Sequence, residues 1–309
     1  MMQTVVTVRA KRGSALARFW HRNKFAWLFL LPWFIGIAGL GLIPMVASLY
    51  LSFTDYNMFE TPNWVGFGNY AKLITDDERF LQSVKVTFLY VAIGVPLQLI
   101  VALTYAILLN KGIRGLSMFR AIYYVPSLLG GSVAIAILWR QVFGRDGLFN
   151  EFLALFGIQG ESWVSHPDYA LLTLIALKLW QFGSPMVIFL AGLRQIPSEI
   201  YEASAIDGAT KTQQFFRVTL PLLSSVIFFN VVMQMIAAFQ AFTPAYVIGG
   251  GGGGALDSIL FYTLYLYTKA FQHFEMGLAS AMAWLLLLLI GLATAILFWT
   301  SKKWVHYES

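Results

Sequence analysis

Six runs of mostly apolar residues, each at least about as long as the 20 residues a helix needs to cross a bilayer core, dominate this sequence. They cover residues 25–53, 84–109, 121–142, 169–193, 222–248 and 276–299. The pattern predicts an all-α, polytopic membrane protein with six transmembrane helices. Composition agrees: 58% of the 309 residues are hydrophobic and 12% are charged, against roughly 25% charged in soluble domains. Pro32 and Pro44 lie in the first run, and Pro126, Gly130 and Gly131 interrupt the third. Membrane helices tolerate such breaks because neighbouring elements satisfy the freed backbone groups. The first run is too long for a signal-peptide core and no A-x-A site closes it, so it reads as an uncleaved anchor. Residues 259–271 are apolar but short, and an interfacial or re-entrant segment is expected there in place of a seventh span.

Basic residues fix the orientation. Arg9, Lys11, Arg12, Arg18, Arg22 and Lys24 precede the first run. Lys111, Arg114 and Arg120 lie between the second and third, Arg194, Lys211 and Arg217 between the fourth and fifth, and Lys302 and Lys303 after the last. Six crossings place all of these on one side and most acids, from Asp55 to Glu275, on the other. The positive-inside rule makes the basic side and both termini cytoplasmic. The net charge of +6 is then topological, and no nucleic-acid partner is implied. Thiol catalysis, cysteine–zinc sites and disulfides are excluded, because the chain has no cysteine. The histidines His21, His166, His273 and His306 show no metal-ligand spacing.

Four regions follow: a basic tail over 1–24, the first transmembrane helix with a periplasmic loop over 25–83, a core transmembrane domain over 84–303, and a cytoplasmic tail over 304–309. The outer loops at 54–83 and 143–168 are long enough to touch a partner, or to cap the bundle. The six glycines at 249–254 are expected to supply flexibility.

The long inner connection, 193–221, is the most informative segment. Pro197 suits the first turn of a helix, and Glu199 and Glu202 then sit near the positive end of its dipole. Ile200, Ala203 and Ile206 form an apolar stripe at helical spacing. Gly208 permits a sharp turn. Thr210 and Gln213 have capping-box spacing for a second short helix, and Pro221 restarts the chain into the fifth run. The expected shape is a helix–turn–helix across the cytoplasmic face, with Ala203, Ser204, Ala205 and Ala209 small enough for another surface to approach.

Glu202-Ala203-Ser204, then Gly208, then Val218-Thr219-Leu220-Pro221 resembles the EAA loop of ABC importer permeases, whose pattern is E-A-A, three residues, G, nine residues, I-x-L-P. Ser204 replaces the second alanine and Val218 the isoleucine. Ile206-Asp207-Gly208-Ala209, Tyr124-Val125-Pro126-Ser127, Phe189-Leu190-Ala191-Gly192-Leu193 and Phe239-Gln240-Ala241-Phe242 resemble the carbohydrate-uptake branch, of maltose, lactose and glycerol-phosphate type. So does the ending Lys303-Trp304-Val305-His306-Tyr307-Glu308. The resemblance covers nearly everything after Phe25; the family's Gly-Gly-Pro after the fifth span is replaced here by the glycine run.

The resemblance implies a coupling helix between the fourth and fifth transmembrane helices that docks into an ABC ATPase dimer. Glu199, Glu202, Ala203, Ser204, Asp207, Gly208, Ala209, Leu220 and Pro221 are its residues. It further implies a second permease subunit, a related but different chain, and a periplasmic solute-binding protein that delivers a carbohydrate. ATP and magnesium would reside in the ATPase, with no cofactor on this chain. The residues themselves agree that catalysis lies elsewhere. Gly208-Ala209-Thr210-Lys211-Thr212 has no glycine before the lysine and cannot cradle phosphate. Gly66-Phe67-Gly68 lacks a βαβ setting.

Polar groups inside spans are a default pathway hypothesis. Asn230 and Gln234 are four apart and share a helix face; Gln240 needs a kink to join them. The fourth run holds Lys178, Trp180 and Gln181, an aromatic ring beside polar groups that suits a sugar. Interhelical hydrogen bonding is the plainer reading of these residues, and Lys178 has the further option of pairing with an acid on a partner subunit. An ion-coupled secondary transporter would call for acids within the spans, and a glycan-cleaving membrane enzyme for two inward carboxylates; the sequence places its acids in loops.

Overall fold

A computed structural model describes residues 24–111 and 115–306 of the chain. The expectations on the tail up to residue 23, on Arg114, and on Tyr307 and Glu308 fall outside the described residues. The chain divides between Tyr50 and Leu51 into two compact units.

Helix α1 (Phe25–Ser52) holds most of the described residues of the first unit and ends two residues past the division; Phe29 is 84% and Leu40 87% exposed. Residues Ala38–Leu42 form a π-turn in which the Ile43 N–H reaches Ala38 O. That turn lies just before Pro44, which lacks a donor and crowds the preceding turn, so the five-residue spacing carries the helix past it.

The helices of the second unit used below are α2 (Gly68–Thr75), α3 (Glu78–Asn110), α4 (Leu116–Leu129), α5 (Val133–Val142), α6 (Pro167–Trp180), α7 (Gly183–Leu193), α8 (Ser198–Ile206), α9 (Lys211–Gln214), α10 (Ser224–Phe239), α11 (Thr243–Ile248), α12 (Tyr262–Tyr267) and α13 (Met276–Ser301); shorter ones lie at Leu148–Ala154 and Leu220–Leu222. Among the described residues there is no strand, only an isolated bridge between Thr54 and Trp64. Helix α3 is the axis of the unit: α6, α7, α10 and α12 all pack on it. Asp77 caps its start by accepting from the Phe80 N–H, and Val95, Leu99, Ala102 and Ala106 bury its core-facing stripe. At 33 residues it is roughly 50 Å long, enough to carry distinct chemistry at each end.

Four helical segments are long and apolar enough to span by themselves, and the count reaches six when each of two bent pairs is taken as one span. Helices α4 and α5 meet at 97°, α6 and α7 at 42°. The expected third crossing, 121–142, is therefore not one straight helix; it turns sharply where Gly130 and Gly131 remove the side chains that would resist it. The apolar stretch near 259–271 forms α12 and a following π-turn, Thr268–Gln272, too short to cross. Tyr262 is buried there, with its hydroxyl donating to Met282 O at 2.6 Å and its N–H to Thr87 Oγ1 at 2.8 Å. Non-helical backbone at such depth is tolerated when buried in protein.

The glycine run is not a flexible tether. Gly250, Gly251, Gly253 and Gly254 adopt positive φ, and a Cβ on Gly253 would lie 2.8 Å from Leu260 Cδ1. Backbone bonds from Gly251 N to Tyr246 O and from Ile259 N to Gly253 O close the loop. Glycine is there because the backbone needs left-handed turns and close packing.

An ionic cluster surrounds the start of α3. Arg79 makes two contacts to the Asp257 carboxylate at 2.6 and 2.8 Å. The Tyr265 hydroxyl donates to Asp77, and Lys269 lies 2.9 Å from Glu275 and 3.6 Å from Asp77. Burial pushes the Glu275 carboxyl up, but Lys269 and Lys72 outweigh it and the net direction is down. A depressed carboxyl stabilises the fold above its unfolded value and loses that contribution as pH falls through the folded one. Glu275→Gln should therefore lower the melting temperature at pH 7, with a solvent-screened effect of at most about 1 kcal/mol. The difference should begin to shrink as pH drops below the ordinary value of 4.5 and vanish only below the depressed folded value, as a pair of melting curves would show.

Candidate functional site

The break between α6 and α7 leaves a carbonyl, Gln181 O, without a helical partner. Gln98 Nε2 from α3 donates to it at 2.9 Å and Ser127 Oγ from α4 at 3.0 Å. Ser127 Oγ also accepts from the Ser184 N–H at 2.8 Å. Three helices are thus pinned around one irregular point, and beside it lies a cavity of about 370 Å³. Tyr90 and Gln98 place it along the middle third of α3. Its size falls in the range of small-molecule sites.

Three of the six expected pathway residues line this cavity: Lys178, Gln181 and Gln234. The other three do not. Trp180 is exposed and lies with its ring tilted against that of Trp139, centroids 6.1 Å apart. Gln240 is the C-cap of α10 and is exposed. Asn230 is fully buried, with its Nδ2 donating to Val226 O in its own helix at 3.2 Å. The spacing of four does put Asn230 and Gln234 on one face, but packing covers the first and leaves the second at the cavity. Gln234→Leu should lower solute uptake about tenfold, the scale of a lost hydrogen bond to a solute, while Asn230→Leu should leave it within about twofold. Uptake assays on cells expressing each variant would decide it.

Glycines seat the two polar arms of the site. A Cβ on Gly94 would meet Lys178 Cδ at 3.1 Å, and the Gln181 side chain lies directly on Gly130. Sequence reading missed Tyr90, Gln98 and Ser127. The rule that flagged Gln234, a polar group inside an apolar run, applies equally to Gln98.

The 193–221 loop lies at the C-terminal end of α3, beside Ile107, Asn110 and Lys111. Helix α8 starts at Ser198 with Pro197 as its N-cap, one position before the expected first turn. None of its residues is buried. Ile200 is 38% and Ile206 87% exposed, so the expected stripe is not covered by the described residues. Glu199 and Glu202 are exposed and have no ion-pair partner among the described residues. Asp207 caps the end and Gly208 follows at φ 79°. The Ala209 N–H closes the turn on Ser204 O at 3.0 Å, as a left-handed helix terminus requires. Thr210 and Gln213 form the expected capping box.

Gln214, 3% exposed, is the hub that sequence reading missed. Its Nε2 donates to Tyr201 O at 2.9 Å and to Ser204 Oγ at 2.8 Å. The serine that departs from the E-A-A pattern therefore ties the first helix to the second. The Tyr201 hydroxyl meets Thr219 Oγ1 at 3.0 Å. A π-turn over Phe215–Thr219 then delivers Leu220 and Pro221 into the next membrane segment, repeating the solution seen before Pro44. The result is an exposed helix joined by side-chain and backbone bonds to a membrane-spanning one.

Comparison with known proteins agrees with this geometry. Residues 65–304 match the family described as "Binding-protein-dependent transport system inner membrane component". The "Probable ABC transporter permease protein YesP" of Bacillus subtilis is 53% identical over 93% of this chain and 93% of its own length. The "Lactose transport system permease protein LacF" of Rhizobium radiobacter is 30% identical over 94% of this chain and 97% of its own. Among solved structures, a permease chain of a bacterial alginate ABC transporter, crystallised with an alginate-bound periplasmic protein, superposes with a TM-score of 0.78 at 19% identity. That match covers 93% of this chain and 97% of that one. By the match to three-quarters of its length and the likeness of its fold, this chain belongs to the binding-protein-dependent transport system inner membrane components: it is a multi-pass permease subunit of a bacterial ABC importer.

Proposed function

We propose that the chain forms, with a second, related permease, the membrane pathway for a carbohydrate delivered by a periplasmic binding protein, and that it alternates between outward and inward access as a separate ATPase dimer binds and hydrolyses ATP. In this reading both termini and the 193–221 loop are cytoplasmic, and α8 is the coupling helix. Glu199, Glu202, Ala203, Ser204, Asp207, Gly208 and Ala209 meet the ATPase, while Leu220 and Pro221 pass its movement to α10. The observation that carries the reading is the exposed α8, held to the bundle through Gln214 and Tyr201. A helix with no buried residue of its own gains most of its stability from a partner surface. Relatives named for lactose and for trehalose and maltose, the latter from Thermococcus litoralis, match 94% and 88% of the chain and support a saccharide as the solute.

The mechanism follows from the middle of α3, where the cavity lies, and its end, where the loop lies. Closure of the ATPase dimer displaces α8. The bonded loop moves as one piece and carries the start of α10, which bears Gln234 at the cavity. The broken helices at Gln181 and Gly130 are where such a bundle bends most easily. The test is uptake into cells holding the complete importer, with ATP depleted but the ion gradient kept. Uptake should stop; persistence under those conditions, and loss on collapsing the gradient, would return the ion-coupled alternative.

A further inference from the structure

The cavity holds one cation and no anion. Lys178 is 7% exposed and lines the cavity together with neutral groups only; no Asp or Glu is among the lining residues. Its Nζ lies 5.8 Å from the Tyr90 ring centroid, near the outer limit of a cation–π contact. It has no hydrogen-bond or ion-pair partner among the described residues. Yet its stem is held in place, laid across Gly94. Burying an ammonium without a counter-charge costs several kcal/mol, and among the described residues only the Tyr90 ring lies in reach to offset it. A second feature has the same sign. Helix α5 begins at Val133 with Ser132 as its N-cap, directly after the cavity-lining Gly131, and the 97° bend at that point leaves the positive end of its dipole at the cavity edge.

We propose that Lys178 is an anion-recognition residue and that the transported solute is an acidic saccharide, one bearing a carboxylate or a phosphate. This inference rests on reading the cavity as the solute pathway. The charged group pairs with Lys178 as the solute passes, and Gln181 and Gln234 offer amide donors and acceptors to its hydroxyls. A neutral sugar would leave the ammonium buried and unpaired, so the cavity discriminates by charge.

Cells carrying the complete importer would be fed a mixture of neutral, uronate-bearing and phosphate-bearing saccharides. Solutes depleted from the medium only when the importer is present would be identified by mass spectrometry. The expected result is depletion of anionic species, with carboxylates or phosphates alone naming the source of the charge. Lys178→Met should reduce that uptake about tenfold or more, the scale of a lost charged hydrogen bond, at unchanged abundance in the membrane. Lys178→Arg should retain most of it, which separates loss of charge from failure to fold. Depletion of neutral saccharides alone would overturn the anion proposal and leave the carbohydrate importer standing. Anionic uptake indifferent to Lys178→Met would overturn the role of the lysine. Depletion of no saccharide would overturn the carbohydrate reading itself.

Discussion

Deleting residues 202–208 should abolish binding of the ATPase while leaving the transmembrane segments inserted. The deleted stretch holds Glu202, Ala203 and the Gly208 turn, and Ser204, whose hydroxyl accepts from Gln214. None of it is buried in the bundle; its loss takes one hydrogen bond from the buried Gln214 and no apolar core residue. Co-purification on an affinity-tagged permease would show the ATPase in the parent complex and not in the deletion. A milder probe is Gly208→Val. At φ 79° an L-residue is strained by about 1–2 kcal/mol, and a β-branched one is disfavoured further. A Cβ there meets nothing within 4 Å, so the effect comes from backbone conformation alone. Uptake should fall roughly tenfold with membrane abundance unchanged, and retained coupling in both variants would remove α8 from the mechanism.

Gly183→Ala should be severely damaging to the bundle. A Cβ at Gly183 would lie 2.1 Å from Tyr123 O and 2.7 Å from Tyr124 Cα. Both are backbone atoms of α4, so no rotamer change relieves the contact. Helix α7 begins at this residue, next to the Gln181 carbonyl that pins three helices together. Forcing α4 and α7 apart should cost roughly 3 kcal/mol and open the cavity wall between Ser127 and Ser184. The expected outcome is a sharp fall in detergent-solubilised melting temperature and loss of uptake. Gly291→Ala, whose Cβ meets nothing within 4 Å, should leave the melting temperature of the chain the same or slightly higher, as alanine favours a helix interior. Equal melting curves for the two variants would contradict the described packing.

Hydrophobic runs of about 20 residues located the membrane segments to within a few positions because length and apolarity are local properties. The capping box at Thr210 and the turn at Gly208 were legible for the same reason: each is set by residues within one helical turn. The bend of 97° was only half legible. Pro126, Gly130 and Gly131 mark a weak point, but the angle depends on which neighbours fill the space. The glycine run misled, since glycine serves flexibility and tight left-handed packing equally well; Leu260 and Ile259 pressing on Gly253 and Gly254 decide between them.

The cavity was the least legible part. Gln234 and Asn230 carry the same local signal, and only the fold shows that Asn230 is sealed while Gln234 faces open space. Gln98 and Gln181 are 83 residues apart, and no spacing rule connects them. Lys178 stood out in sequence as a charge inside a span; that it lacks a carboxylate neighbour is a tertiary fact.

The side of the membrane on which α8 lies, and what covers it, can be measured directly, since the chain has no cysteine of its own. Ala203→Cys would place a single thiol on the exposed stripe. A membrane-impermeant maleimide should label it in inverted vesicles stripped of the ATPase and not in intact cells, and rebinding the ATPase should shield it. Labelling of intact cells from outside, or labelling in vesicles that the ATPase leaves unchanged, would contradict the account.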